Sequence, residues 1–294
     1  MTAPAHPLAD PRPARLTELR FVALGDSLTE GVGSPDGTGW RGWTALLAPA
    51  LAADPARVSH HNLAVSGALA ADLTRTQLPA ALALRPDLAA VVIGGNDTLR
   101  AGFDIARTAA ALDATLRALA GQGAVLLTAC LPDPGVLLGL PGPLARPLAR
   151  RMVAVNEVVH ALSARHGAVH LHLADLDWLA DRALLSADRL HPSPAGHLLI
   201  ARRFHALLAT AGHELGQAPA AVCAPPPPSR AADLWWLATR GTAWLARRSV
   251  DLLPGLLGLA AAELRHRGRG TAATLDARAH TATAAALAAL PPPP

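Results

Sequence analysis

The stretch Leu19-Arg20-Phe21-Val22-Ala23-Leu24 runs directly into Gly25-Asp26-Ser27-Leu28-Thr29-Glu30-Gly31. An apolar run that ends in a glycine turn predicts a buried strand presenting one serine hydroxyl at the edge of a sheet. A serine so placed can serve as a nucleophile if a base reaches it. The same residues also read as an ordinary strand-to-helix turn in which Ser27 caps a helix. The rest of the chain has to decide between the two.

Outward from this turn, apolar strands alternate with segments of helical spacing. Trp40, Trp43, Leu46, Leu47 and Leu51 predict a helix over 40–53. A second strand over 58–64 leads to Val65-Ser66-Gly67, and a helix over 72–84 closes at Arg85-Pro86. The third strand, 88–93, ends in Gly94-Gly95-Asn96-Asp97, and a helix over 105–120 stops at Gly121. A fourth strand covers 124–131. The segment 132–143, with four prolines and three glycines, reads as a surface loop. A long helix over 144–166, a fifth strand over 168–173 and a closing helix over 194–211 complete the pattern. Strands that are apolar over most of their length, separated by helices, imply a parallel sheet covered on both faces. Ligands of such sheets sit outside the carboxyl ends of the strands. The segments around Ser27, Gly67 and Asn96 fall at those ends.

The totals narrow the function. Of 294 residues, 51% are hydrophobic and only 3% aromatic, so alanine and leucine supply most of the core. All 26 basic residues are arginine, and the net charge is +4. No arginine cluster alternates with aromatics through the main body, which argues against nucleic-acid binding. Cys130 and Cys223 lie far apart and suggest neither a disulfide framework nor a metal site. The first residues carry prolines and charges without an apolar core segment, and no apolar run of about 20 residues exists. The expected location is cytoplasmic, with a peripheral place at a membrane as the second option.

Acyl transfer by serine needs a base, an acid that orients it and donors for the developing oxyanion. Asp188-Arg189-Leu190-His191 offers the first two: three residues apart in a turn, the carboxylate can hold one imidazole nitrogen while the other faces away. The bland alternative is a solvated loop leading into the helix that Pro192-Ser193-Pro194 begins. Gly67 offers an unobstructed backbone N–H and Asn96 a side-chain amide. Alone, the first is a turn glycine and the second an Asx turn with Asp97.

Taken together, Gly25-Asp26-Ser27-Leu28, 62–67, Gly94-Gly95-Asn96-Asp97 and Asp188-Arg189-Leu190-His191 occur in one order on one strand–helix pattern. With Arg41-Gly42-Trp43 and the phrase from His191 to His197, the chain resembles actinobacterial members of the SGNH/GDSL hydrolases, esterases and lipases, over about residues 18–212. The resemblance implies a three-layer α/β/α flavodoxin-like fold with a five-stranded parallel sheet. It implies Ser27 as nucleophile, His191 as base and Asp188 as its acid. The oxyanion hole would be made by Ser27, Gly67 and Asn96. The substrate would be a small carboxylic ester or thioester, with no cofactor. Two other classes stay open: an acyltransferase using the same site, and a non-catalytic binding module. Arg189 stands where the family often has a small residue, which bears on access to the site. Ser66 is a rival hydroxyl without the preceding Gly-Asp turn.

Several residues are read as structural. His60-His61 and His170-x-His172 lack a third ligand at useful sequence spacing. Asp175 and Asp177 lack the local spacing to His191. Trp178 and the prolines of 132–143 are placed to shape an acyl pocket. Flanking the hydrolase domain, 1–17 reads as a disordered arm and 213–230 as a proline-rich linker. Residues 231–268 read as an amphipathic helical extension, broken or kinked at Pro254, and 269–294 as a disordered Ala/Pro-rich tail. The extension would dock on the domain or on a protein partner, or lie on a membrane surface. Oligomeric state is not read from the sequence.

Overall fold

The computed structural model describes residues 18–37, 39–220 and 242–292. The arm 1–17 and most of the linker with the start of the extension, 221–241, lie outside the described residues. Strands β1 (Leu19–Gly25), β2 (Val58–Asn62), β3 (Leu88–Val92), β4 (Val125–Cys130) and β5 (Val169–His172) form one parallel sheet in the order β2-β1-β3-β4-β5. This is the flavodoxin-like order, in which the chain reverses direction between β1 and β3 and leaves a crevice at their carboxyl ends. Ser27 follows β1, and Asn96 follows β3.

The sheet buries both faces because alternate side chains of each strand meet different helices. Phe21, Ala23, Leu127, Ala129 and Leu171 face α2 (Trp43–Leu47) and α9 (Pro194–Thr210). There Trp43 stacks on Phe204 with ring centroids 4.8 Å apart. Val22, Leu24, Val91 and Leu126 face the opposite layer. That layer holds α6 (Ile105–Gly121), α8 (Gly142–Arg165) and a composite helix. The composite begins as α3 (Ala70–Asp72), passes through one π turn (Leu73–Gln77) and continues as α4 (Leu78–Leu84). Two short helices, α1 (Ser27–Glu30) and α5 (Gly95–Leu99), sit directly on strand ends.

Three expectations need correction. The helix over 40–53 is shorter: Trp40 is 44% exposed and bridges Pro35, α2 starts after Gly42, and the last turn, Ala48–Ala50, tightens to 3₁₀. Pro49 there has no N–H for an α-helical bond. The segment 132–143 is not a plain surface loop. Asp133 caps a short helix, α7 (Pro134–Leu137), and Pro134, Gly135 and Leu137 are buried.

The third correction concerns the C-terminus. The extension forms α10 (Thr242–Gly268), which continues past Pro254, and the supposedly disordered 269–294 contains a helix, α11 (Ala272–Ala288). Low complexity conceals here a run of the best helix-forming residue, alanine. Small side chains also let α11 lie close on α6 and α8: Thr283 and Ala286 are buried, and Ala286 joins the core beneath. Arg150 of α8 ties the two helices down, donating to Glu263 at 3.1 Å and Asp276 at 2.7 Å. Arg117 of α6 donates to the carbonyls of Pro291 and Pro292 at 3.1 and 2.8 Å. The described part of the extension therefore packs back on the domain. Among the described residues no helix is long and apolar enough to cross a membrane.

Candidate active site

Ser27 opens α1, and Asp26 is the residue that caps it, accepting from the Leu28 N–H at 3.1 Å. The serine hydroxyl is therefore free of capping duty. The turn demands glycine before it: Gly25 has φ 155°, and a Cβ there would lie 2.3 Å from the Val92 carbonyl oxygen. Gln77 clamps this turn from below. Its amide accepts from Gly25 N–H at 2.8 Å and donates to Gly25 C=O at 2.9 Å, all buried. Nothing in the sequence marked Gln77, which lies 52 residues away on a helix face that reads as core.

His191 arrives from a tight loop between Leu185 and Pro192, which bridge each other. Asp188 organises that loop. Its Oδ1 accepts from the Leu190 and His191 N–H groups, each at 2.9 Å, and from Ser186 Oγ at 2.7 Å. Its Oδ2 lies 2.6 Å from His191 Nδ1. His191 Nε2 lies 2.8 Å from Ser27 Oγ, across 164 residues of chain. Burial works to raise the Asp188 pKa, but the His191 hydrogen bond and charge, with the N–H groups of His191 and Leu190, hold it down at about 2. Asp188 is thus ionised at neutral pH. Nδ1 then carries the imidazole proton, and Nε2 is free to accept from Ser27. The backbone of the loop is held from the other side at Gly33, where a Cβ would meet the Pro192 oxygen at 2.1 Å. Arg189 takes a left-handed conformation, φ 57°, and is exposed rather than lining the pocket.

The remaining sequence-predicted residues come to the same place. Ser27, Gly67, Asn96 and His191 line one pocket of about 170 Å³. Gly67 has φ 82°, and its N–H has no acceptor among the described residues. Asn96 Nδ2 donates to Ala68 O at 3.1 Å and makes a longer contact of 3.4 Å to Asp26 Oδ2. The rival hydroxyl, Ser66, is engaged by Glu30, whose Oε2 also accepts from the Ser66 N–H at 2.8 Å. Asp26, Ser66 and Arg100 add polar lining, and most of the rest is apolar, including Leu28, Leu131, Leu137, Met152 and Leu173. Trp178 lines it too, as do Pro132 and Pro134.

Two further carboxyls near the serine turn are harder to ionise than usual. Burial pushes Asp26 up to about 6, against the opposing effects of the Leu28 N–H and of His191. Burial also pushes Asp97 up to about 6, although its two oxygens accept from Ala70 N–H at 3.1 and 3.2 Å. His197 is fully buried and bridges Trp43 N–H (3.2 Å) and Val32 C=O (3.0 Å). A ring that accepts at Nδ1 and donates at Nε2 is neutral, and burial accordingly lowers its pKa to about 4. His197 thereby ties α9 to the loop that follows Ser27.

The histidines set aside from the sequence fall into two groups. His60 rests against Phe21, with centroids 5.3 Å apart. His170 and His172 are different. Cys130 and His160, neither at a metal-site spacing in the sequence, meet them in space.

A flavodoxin-like α/β/α sandwich with its serine, imidazole and carboxylate at the carboxyl edge of the sheet is the architecture of the SGNH hydrolases. The chain belongs to the GDSL-like Lipase/Acylhydrolase family, which it matches over residues 23–199. It is 34% identical over 120 residues to the GDSL-like esterase Rv1075c of Mycobacterium tuberculosis, a match that spans 40% of this chain and 38% of that relative. Among solved structures it is similar to the lipase/acylhydrolase from Enterococcus faecalis, with TM-score 0.53 and 18% identity over 69% of this chain and all of the other. It is also similar to a catalytic mutant of Axe2, an acetylxylan esterase from Geobacillus stearothermophilus (TM-score 0.54, 20% identity, 69% and 98% of the two chains). A third, LAE5 from the metagenome of Lake Arreo, has TM-score 0.54 and 24% identity over 66% and 96%.

Proposed function

We propose that the chain hydrolyses small carboxylic esters or thioesters through an acyl-enzyme on Ser27. The observation that carries this is the unbroken relay Asp188–His191–Ser27, at 2.6 and 2.8 Å, opening into an apolar pocket. His191 Nε2 takes the Ser27 proton as Oγ bonds to the acyl carbon, and the imidazolium that forms is stabilised by Asp188. The carbonyl oxygen gains negative charge and needs donors preorganised for it. Ser27 N–H, Gly67 N–H and the Asn96 hydrogen now in long contact with Asp26 supply them. The tetrahedral centre collapses as His191 returns the proton to the leaving oxygen or sulfur. A water, deprotonated by His191, then attacks the acyl-enzyme, and the acid leaves with Ser27 reprotonated.

The pocket supports a short acyl group. Drug-sized ligands occupy sites of about 300–1,000 Å³, larger than the 170 Å³ here. Ser27→Ala tests the mechanism against a short p-nitrophenyl ester. Its kcat should fall by about 10³-fold or more with an unchanged circular dichroism spectrum. Full retained turnover would end the proposal.

A further inference from the structure

A second constellation lies at the sheet edge, outside the ester pocket. β4 and β5 are in register such that Thr128 pairs with His170 and Cys130 with His172. These four side chains therefore share one face of the sheet, the face that α8 crosses with His160. One ligand atom from each of Cys130, His160, His170 and His172 lies within 4.8 Å of all the others. The three imidazole centroids are 4.7, 4.9 and 5.1 Å apart.

Hydrogen bonding fixes which nitrogen of His170 is available. The Ser163 hydroxyl donates its one hydrogen to Val159 C=O at 2.6 Å. In the 2.7 Å contact between Thr128 and Ser163, the hydrogen must then be that of Thr128. Both hydroxyls are left only as acceptors toward His170 Nδ1, at 2.9 and 3.2 Å, so Nδ1 carries the proton. Nε2 keeps its lone pair, is buried and has no partner among the described residues. An imidazole held by an oxygen at one nitrogen, with the lone pair of the other free, is the arrangement of a metal-ligating histidine.

From these residues we infer that Cys130, His160, His170 and His172 form a binding site for a divalent transition-metal ion of the zinc class. Thiolate with imidazole suits zinc and its neighbours rather than calcium or magnesium. A tetrahedral zinc, with bonds of about 2.0–2.1 Å to nitrogen and 2.3 Å to sulfur, needs ligand atoms about 3.3–3.6 Å apart. The cluster must therefore tighten by about an ångström. His160 and His172 are exposed and can swing to do so, which also gives the ion its route in. Binding converts Cys130–SH to a metal thiolate and releases one proton to solvent. The ion would clip α8 to the edge strand β5. It would also brace the wall of the ester pocket, since Leu131, next to Cys130, lines that pocket and is held by Asn156 of α8 through two 2.8 Å bonds.

The test uses untagged, chelator-stripped full-length protein titrated with Co²⁺. We expect one equivalent to bind, with tetrahedral d–d bands and a thiolate-to-cobalt charge-transfer band, and Zn²⁺ to displace it and raise the melting temperature. Cys130→Ser should abolish the charge-transfer band. His160→Gln, at an exposed position, should weaken binding at least tenfold, whereas His191→Ala should bind as the parent does. Absence of the charge-transfer band in the parent protein would overturn the inference, and so would unchanged affinity in both Cys130→Ser and His160→Gln.

Discussion

Replacing Asp26 with Asn tests whether the carboxylate beside Ser27 is held ionised against its surroundings. Asp26 is 5% exposed and accepts one backbone N–H at 3.1 Å, which Asn can replace oxygen for oxygen. Burial moves its carboxyl from the ordinary 3.8 to about 6. A group whose pKa is raised on folding favours the folded state fully below its unfolded pKa, and that contribution is lost as pH rises through the folded value. The parent protein should therefore lose stability from about pH 4 to pH 7 at this residue, reaching about 3 kcal/mol at pH 8. Asn does not titrate, so Asp26→Asn should be the more stable protein by about 3 kcal/mol at pH 8 and by only about 1 kcal/mol at pH 4.5. The new amide would face Asn96 Nδ2, now 3.4 Å from Asp26 Oδ2, and this donor–donor approach trims the gain equally at both pH values. Urea melts of both proteins at the two pH values measure the difference, with the slope checked for constancy. A stabilisation that does not grow between pH 4.5 and pH 8 would refute the burial argument.

Gln77→Ala removes both of its bonds to Gly25 and leaves the Gly25 N–H buried and unpaired, while the Gly25 C=O keeps the Val65 N–H at 3.2 Å. One orphaned buried group makes the loss about 1–3 kcal/mol. A looser serine turn should also lower kcat tenfold or more, which steady-state ester hydrolysis would register; unchanged kcat would reduce Gln77 to a packing residue. Deleting residues 271–294 should destabilise the domain, because α11 covers α6 and α8 with Ala286, and Leu287 and Leu290 pack there too. Two leucines re-exposed in part, with one alanine, amount to about 2–3 kcal/mol. An unchanged urea midpoint would show that the tail contributes nothing to the fold.

The parts of this protein that were legible in its sequence are those encoded locally. Apolar runs and glycine turns place all five strands within a few residues, and resemblance to a family supplies the flavodoxin-like class of sheet. Asp188 and His191 stand at a spacing that lets a carboxylate reach an imidazole in a turn, but a solvated loop fits the same spacing, and only the four blocks together favour the pair. What failed was of two kinds. In 269–294, low-complexity composition suggested disorder, yet alanine's small side chain is what lets α11 pack closely enough to bury Ala286. Elsewhere the determining relation was non-local. Gln77 reaches Gly25 through a turn of the chain that no pattern announces.

The Cys/His cluster is the sharper case of the second kind. His170 and His172 stand at alternate positions of one strand, and the sequence carries no third ligand at metal-site spacing beside them. That criterion finds ligands carried on one turn or hairpin. It is blind to ligands that meet because β4 lies beside β5 and α8 crosses them both. Cys130 stands 40 residues from His170 yet faces His172 in the adjacent strand. Sheet order and register, rather than any motif, bring the four together. A search for ligands in parallel α/β proteins therefore has to follow the predicted strand order: given β4 next to β5, residues at the carboxyl end of one strand become candidates for partners at the same level of the next, and the covering helix supplies the rest.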